Sequence, residues 1–136
     1  MKKRKKLPSI SSLEKKLDIV FQTWVRRSAA DEGGTLECYT CRKPVFWKEA
    51  DAGHFVPGRR NAVLLNPEVV RPQCKMCNIW NRGAYHAYTL RMVDELGREK
   101  VDELLALQHQ TLKFTRSDLE EKIAYYKQKL ETLDVV

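Results

Sequence analysis

Cys38-Tyr39-Thr40-Cys41 and Cys74-Lys75-Met76-Cys77-Asn78 are the stretches on which the fold turns, and between them they hold all four cysteines of the 136-residue chain. A two-residue gap lets both thiolates of a knuckle reach one metal, and two knuckles complete a tetrahedral sulfur cage for which zinc is the expected ion. Disulfide pairing is the first rival. Nothing marks the chain for secretion, however, and cytosolic thiols are kept reduced. A redox pair is the second rival, but that arrangement uses a single motif placed after a strand and before a helix. Cys38, Cys41, Cys74 and Cys77 are therefore read as ligands of a structural zinc.

The 32 residues between the knuckles exceed the ~15 to 20 of an ordinary zinc ribbon, so something has been inserted. The insert contains Asp51-Ala52-Gly53-His54-Phe55 and then a polar loop, Gly58 to Pro67, anchored by the apolar run Ala62 to Leu65. A cage that pins both ends of this insert fixes His54 relative to Asn78 without using either as a zinc ligand. Phosphodiester hydrolysis needs such a pairing: an imidazole to take a proton from water, and oxygen ligands to hold a hard cation on the phosphate. The plainer readings are a hydrogen-bonded histidine at 54, a turn cap at Asp51 and a helix cap at Asn78. Arg59, Arg60, Arg71, Lys75 and Arg82 bracket the site as candidate phosphate contacts, or else form a merely soluble basic surface. Trp47 and Phe55 are expected in a small core beside the zinc. Trp80 and Tyr85 either pack or stack on an unpaired base.

Outside the knuckles the chain reads as helical. Residues 1–10 form a basic, disordered tip. Ser11 with Glu14 makes a capping box for an N-terminal helix in the segment 11–35, whose stripe Leu13, Leu17, Val20, Phe21, Trp24 and Val25 stops at Asp31-Glu32-Gly33-Gly34. Leu36 to Cys38 and Val45 to Trp47 flank a turn as a hairpin would. The core spans 36–83, with a short helix over Cys77 to Arg82. The region 84–136 follows, with helices over Ala84 to Leu96 and Arg98 to Gln108 separated at Gly97, and a last helix capped by Thr115 or Ser117. Leu119, Ile123, Tyr126, Leu130 and Leu133 make a seam there, for packing within the chain or for a homodimer. His86 and His109 are left as solvent or packing residues. The fold class is α+β.

Charge narrows the partner. The net charge is +7, and residues 1–82 hold 17 of the 25 basic side chains but only 8 of the 18 acidic ones. The excess at the front and middle suits a polyanion. No apolar run approaches the ~20 residues of a bilayer span, so no membrane partner is expected and the cytoplasm is the expected location.

The run Asp51-Ala52-Gly53-His54-Phe55, then Pro72-Gln73-Cys74-Lys75-Met76-Cys77-Asn78, then Leu90 and Gly97 to Glu103, resembles the NinG (Rap) family of phage lambda over most of the chain. That resemblance implies a phage or prophage recombination endonuclease acting on branched double-stranded DNA, such as Holliday junctions and D-loops. The core also looks like a ββα-metal (HNH) nuclease and is similar to phage recombination endonuclease VII. Transferred by motif, His54 is the general base and Asn78 a ligand of a catalytic Mg²⁺. Gly53 stands where that fold often carries an acidic ligand, so Asp51 is expected to supply the carboxylate. The middle asparagine of the HNH pattern aligns with Val69, with Asn66 three residues away. The rival from another class is a non-catalytic zinc DNA-binding or adaptor domain, and a third reading is an RNA-directed nuclease.

Overall fold

The computed structural model describes residues 6–57 and 61–134. Helix α1, Ile10–Ser28, is followed by an antiparallel hairpin, β1 (Thr35–Glu37) and β2 (Pro44–Phe46). A second antiparallel pair, β3 (Asp51–His54) and β4 (Val70–Gln73), brackets the short helix α2 (Asn61–Leu64). A π-helical turn, Met76–Trp80, leads into α3 (Tyr85–Leu96), α4 (Arg98–Leu105) and α5 (Arg116–Asp134). This is an α+β chain with two small sheets. Among the described residues no helix is long and apolar enough to cross a membrane.

Helix α1 starts two residues earlier than its capping box predicts and takes Ile10 from the expected tip of residues 1–10, of which 1–5 lie outside the described residues. Ser9, extended and directly after Pro8, accepts from the Ser12 amide at 3.1 Å, so Ser11 lies inside the helix and does not cap it. Leu13, Leu17, Val20, Phe21 and Val25 recur at helical spacing and are buried. Their main cover is α5, which presents Leu119, Ile123 and Tyr126. The Phe21 and Tyr126 rings meet edge to face at 5.2 Å. Each such side chain contributes roughly 1.5 to 3 kcal/mol by leaving water.

Arg116 at the start of α5 donates to the Pro8 carbonyl, and Leu133 near its end shares a cavity with Arg27 and Ala30. The two 19-residue helices therefore run parallel. The predicted seam of α5 is directed into its own chain from Leu119 to Leu130, while Leu133 is exposed. Its cap is Thr115: the Thr115 amide donates to Asp118 and the Asp118 amide donates back to the Thr115 hydroxyl.

Gly97, at φ +85°, separates α3 from α4 as expected. The helix predicted to reach Gln108 ends at Leu105 and continues as a 3-10 turn to His109. The helix predicted over Cys77 to Arg82 is instead the π turn, closed by Asn81 N–H donating to the Met76 carbonyl at 2.8 Å. Three left-handed residues in a row, Arg82, Gly83 and Ala84, turn the chain from there into α3. The anchored loop segment is real, with Val63 and Leu65 buried in the core.

Candidate functional site

The hairpin turn carries the first knuckle. Arg42 adopts a left-handed conformation, which lets its amide donate to the Cys38 carbonyl and brings Cys41 back beside Cys38. The second knuckle leaves the end of β4. All four Sγ atoms lie within 4.8 Å of one another, and Cys41 and Cys74 are 3.7 Å apart. A tetrahedron of sulfurs ~2.3 Å from zinc has an edge of ~3.8 Å, so the spacing fits the ion. None of the cysteines forms a disulfide.

The sulfurs differ in how readily they ionise. Burial opposes ionisation of Cys38, but hydrogen bonds from the Cys41, Cys74 and Thr40 groups overcome it and bring the thiol down to about 6. Burial first, and then the neighbouring sulfurs, push Cys77 up to about 12 and raise Cys41. Thiolates crowded this closely repel unless a cation lies between them. The four cysteines could therefore hold zinc.

The cage fixes β4, and β4 fixes β3. Cys74 N–H donates to Cys38 Sγ at 3.2 Å and Tyr39 N–H donates to the Pro72 carbonyl at 2.9 Å. In the β3–β4 register Asp51 faces Gln73 and His54 faces Val70. The Gln73 side chain is wholly buried, with Nε2 donating to Thr40 Oγ1 at 3.0 Å and to the Gly83 carbonyl at 2.9 Å. One amide thus ties the first knuckle, β4 and the left-handed turn together. Its Oε1 has no partner and lies against Gly53, where a Cβ would stand 1.8 Å away. Gly53 is therefore required by Gln73. An acidic side chain at position 53 has no room, a steric reason that the strand's sequence alone does not disclose. Tyr88 donates to the Gly53 carbonyl at 2.8 Å from below, and Phe55 stacks on Tyr88 at 5.0 Å.

Asp51 and Asn78 are brought together. Asn78 Nδ2 donates to Asp51 Oδ2 at 3.1 Å, and Lys75 Nζ approaches Asp51 Oδ1 at 2.8 Å. Arg26 at the end of α1 adds a second positive field on the same carboxylate. His54 lies elsewhere. Three residues along an extended strand reverse the face, and His54 lines a groove with Ser11, Glu14, Lys15, Asp18, Gln22, Leu64 and Leu65. Its Nε2 lies 2.9 Å from the Leu64 carbonyl. A carbonyl only accepts, so Nε2 carries the proton and Nδ1 keeps its lone pair when the ring is neutral. Among the described residues no hydrogen bond joins His54 to Asp51 or Asn78.

A family model, described as Bacteriophage Lambda NinG protein, matches residues 1–135. The chain belongs to the NinG family. It is thus a phage recombination-related protein. No curated protein and no solved structure shows significant similarity to it.

The remaining residues singled out in this NinG sequence divide. Arg59 and Arg60 lie outside the described residues. Arg71 donates to the Pro67 and Val70 carbonyls and lies over the Tyr39 ring at 5.6 Å, so its guanidinium is largely committed to holding the loop before β4. Lys75 is exposed beside Asp51, and Arg82 is exposed on the left-handed turn. Asn66 accepts from the Glu68 amide as a turn residue, and Val69 is buried. Trp47 is a correction: it is half-buried outside the core, with Arg26, Arg27 and Lys48 at 5.4 to 5.6 Å from its ring. That cationic cluster was missed. Its signal, Arg26-Arg27 closing α1, reads in sequence as an ordinary basic helix end.

Proposed function

We propose that the chain is a structure-selective endonuclease, cutting branched DNA by metal-assisted phosphodiester hydrolysis on a ββα-metal core made of β3, β4 and the turn after Cys77. The observation that carries this reading is the Asp51–Asn78 pair at 3.1 Å, pinned by the cysteine cage beside the strand that bears His54. Two protein oxygens suffice for Mg²⁺, which keeps several waters of its own. Asp51 offers a carboxylate that already draws Lys75, and Asn78 would present Oδ1 after its amide turns. Magnesium held there would supply charge neutralisation for the phosphate at the transition state.

The chain's own groups have separate tasks. His54, held through Nε2 by the Leu64 carbonyl, keeps Nδ1 for the proton of the attacking water, and because it faces the α1 groove while Asp51 faces Asn78, this role requires β3 to turn His54 toward the cation when DNA binds. Lys75 and Arg82 hold phosphate oxygens, and Lys75 yields Asp51 to the cation. A second reading, a zinc-held DNA-binding domain without catalysis, is favoured by one observation. His54 shares its groove with Glu14 and Asp18 and faces away from Asp51, and two carboxylates there disfavour a phosphate.

Labelled four-way junction, linear duplex and structured RNA, each incubated with and without added Mg²⁺, test both readings. Magnesium-dependent cuts confined to the junction, abolished by His54→Ala with zinc content unchanged, are the expected result. Junction binding with no cutting under any condition leaves the second reading alone, and cutting that survives His54→Ala removes the histidine from the mechanism.

A further inference from the structure

The π turn presents an apolar face to solvent directly beside Asn78. Trp80 is 75% exposed, Met76 59% and Ile79 55%, and Tyr85 at the start of α3 adds a ring that is 46% exposed. Isolated exposed apolar residues are ordinary; four within ten positions, with a tryptophan at the crest, mark an interaction surface. Among the described residues no aromatic ring or cation lies against Trp80, whereas Trp24 has Tyr126 at 5.3 Å and Trp47 has its cations.

The backbone holds this crest outward. Arg82 at φ +52° and Ala84 at φ +49° each carry roughly 1 to 3 kcal/mol of strain as non-glycine left-handed residues. Gly83 N–H donates to the Cys77 carbonyl at 2.8 Å, Ala84 N–H to the Asn81 carbonyl at 2.9 Å, and Gln73 caps the Gly83 carbonyl. The Tyr85 ring covers Gly83, where a Cβ would lie 3.3 Å from it. The turn thus holds the backbone beside Trp80, so binding costs the rotation of the indole and little backbone ordering.

Charge decides the occupant. Between Glu68 and Asp94 the sequence contains Arg71, Lys75, Arg82 and Arg91 and no acidic residue. An apolar crest flanked by the exposed Lys75 and Arg82, with the nearby Asp51 carboxylate already held by Lys75 and Asn78, suits a π-face attached to phosphates better than a protein helix, whose surface carries both signs. We propose that Trp80, flanked by Lys75 and Arg82, stacks on an unpaired nucleobase at the branch point of DNA and so reads the branch. This rests on the branched-DNA reading above and gives it a named selectivity residue, one that a continuously stacked helix does not engage.

The test is binding without added Mg²⁺, which needs no cleavage and leaves the zinc in place. Trp80→Ala should weaken binding to a four-way junction with unpaired central bases by roughly 5- to 100-fold, with Trp80→Phe retaining most of the affinity. Linear-duplex affinity should change less than twofold, and zinc content and circular dichroism should match the parent. With 2-aminopurine at the branch, the parent protein quenches its emission at saturation and Trp80→Ala does not. Equal junction affinity for the parent and Trp80→Ala overturns the proposal, as does an equal loss on linear duplex. It is overturned too if light scattering shows a concentration-dependent dimer that Trp80→Ala abolishes, because the crest is then a protein interface. A junction-selective binding loss together with cutting unaffected by His54→Ala upholds the stacking role while the catalytic assignment falls.

Discussion

Gly53→Ala isolates the contact on which the arrangement of β3 and β4 depends. A methyl at position 53 stands 1.8 Å from Gln73 Oε1 in a side chain with no exposed surface, so the amide has to leave. Its departure breaks the bonds to Thr40 and to the Gly83 carbonyl, the latter wholly buried. A net bond contributes about 0.5 to 1.5 kcal/mol, and an orphaned buried acceptor costs about 1 to 3 kcal/mol. Replacing glycine by alanine in a strand returns about 0.5 to 1 kcal/mol, so the expected net loss is about 2 to 3 kcal/mol. For a chain of this size that lowers the melting temperature by roughly 10 °C. Urea unfolding of the zinc-loaded protein measures it. Gln73→Ala removes the obstacle as well as the bonds, so adding Gly53→Ala to it should cost almost nothing further, giving a coupling of about 2 to 3 kcal/mol in the double-mutant cycle. Additive effects, or a Gly53→Ala protein within about 0.5 kcal/mol of the parent, would refute the argument.

Three further outcomes are expected. Purified protein should carry close to one zinc per chain by metal analysis, and Cys77→Ser or chelation should remove it and loosen the β1–β2 hairpin from β4, seen as lost amide protection at Tyr39 and Cys74. Tyr88→Phe should leave the Gly53 carbonyl without its buried donor and cost about 1 to 3 kcal/mol in the same urea assay. The Asp118 carboxyl is held below its usual value by the Thr115 amide and hydroxyl. Its contribution is therefore complete at neutral pH and is lost as pH falls through the lowered folded value. Asp118→Asn should show a shallower fall in urea midpoint across that acid range.

The sequence carried the long elements and the cage because their signals are periodic or chemically singular. The α1 stripe, the break at Gly97 and the cysteine knuckles each stand out against the background. Strands of three or four residues leave too few positions for alternation to register, so β3 and β4 were not recognisable as a pair. Their pairing decides that Asp51 meets Asn78 while His54 turns toward α1, which residue spacing alone cannot report. Gly53 shows the same limit: its reason is a side chain 20 positions away. Trp47 reads as core by type, yet Arg26 and Arg27 join its neighbour Lys48 around the ring because α1 ends beside the 3-10 turn Trp47–Glu49 that follows β2.

The parallel packing of α1 on α5 has a consequence for synthesis on the ribosome. Leu17 and Phe21 emerge early, but Leu119, Ile123 and Tyr126, which cover them, come about a hundred residues later. Until then the nascent chain exposes a greasy stripe, and closure of such distant contacts is slow. Chaperone dependence during translation, and aggregation of any product cut short before residue 126, are built into the order in which the chain is made.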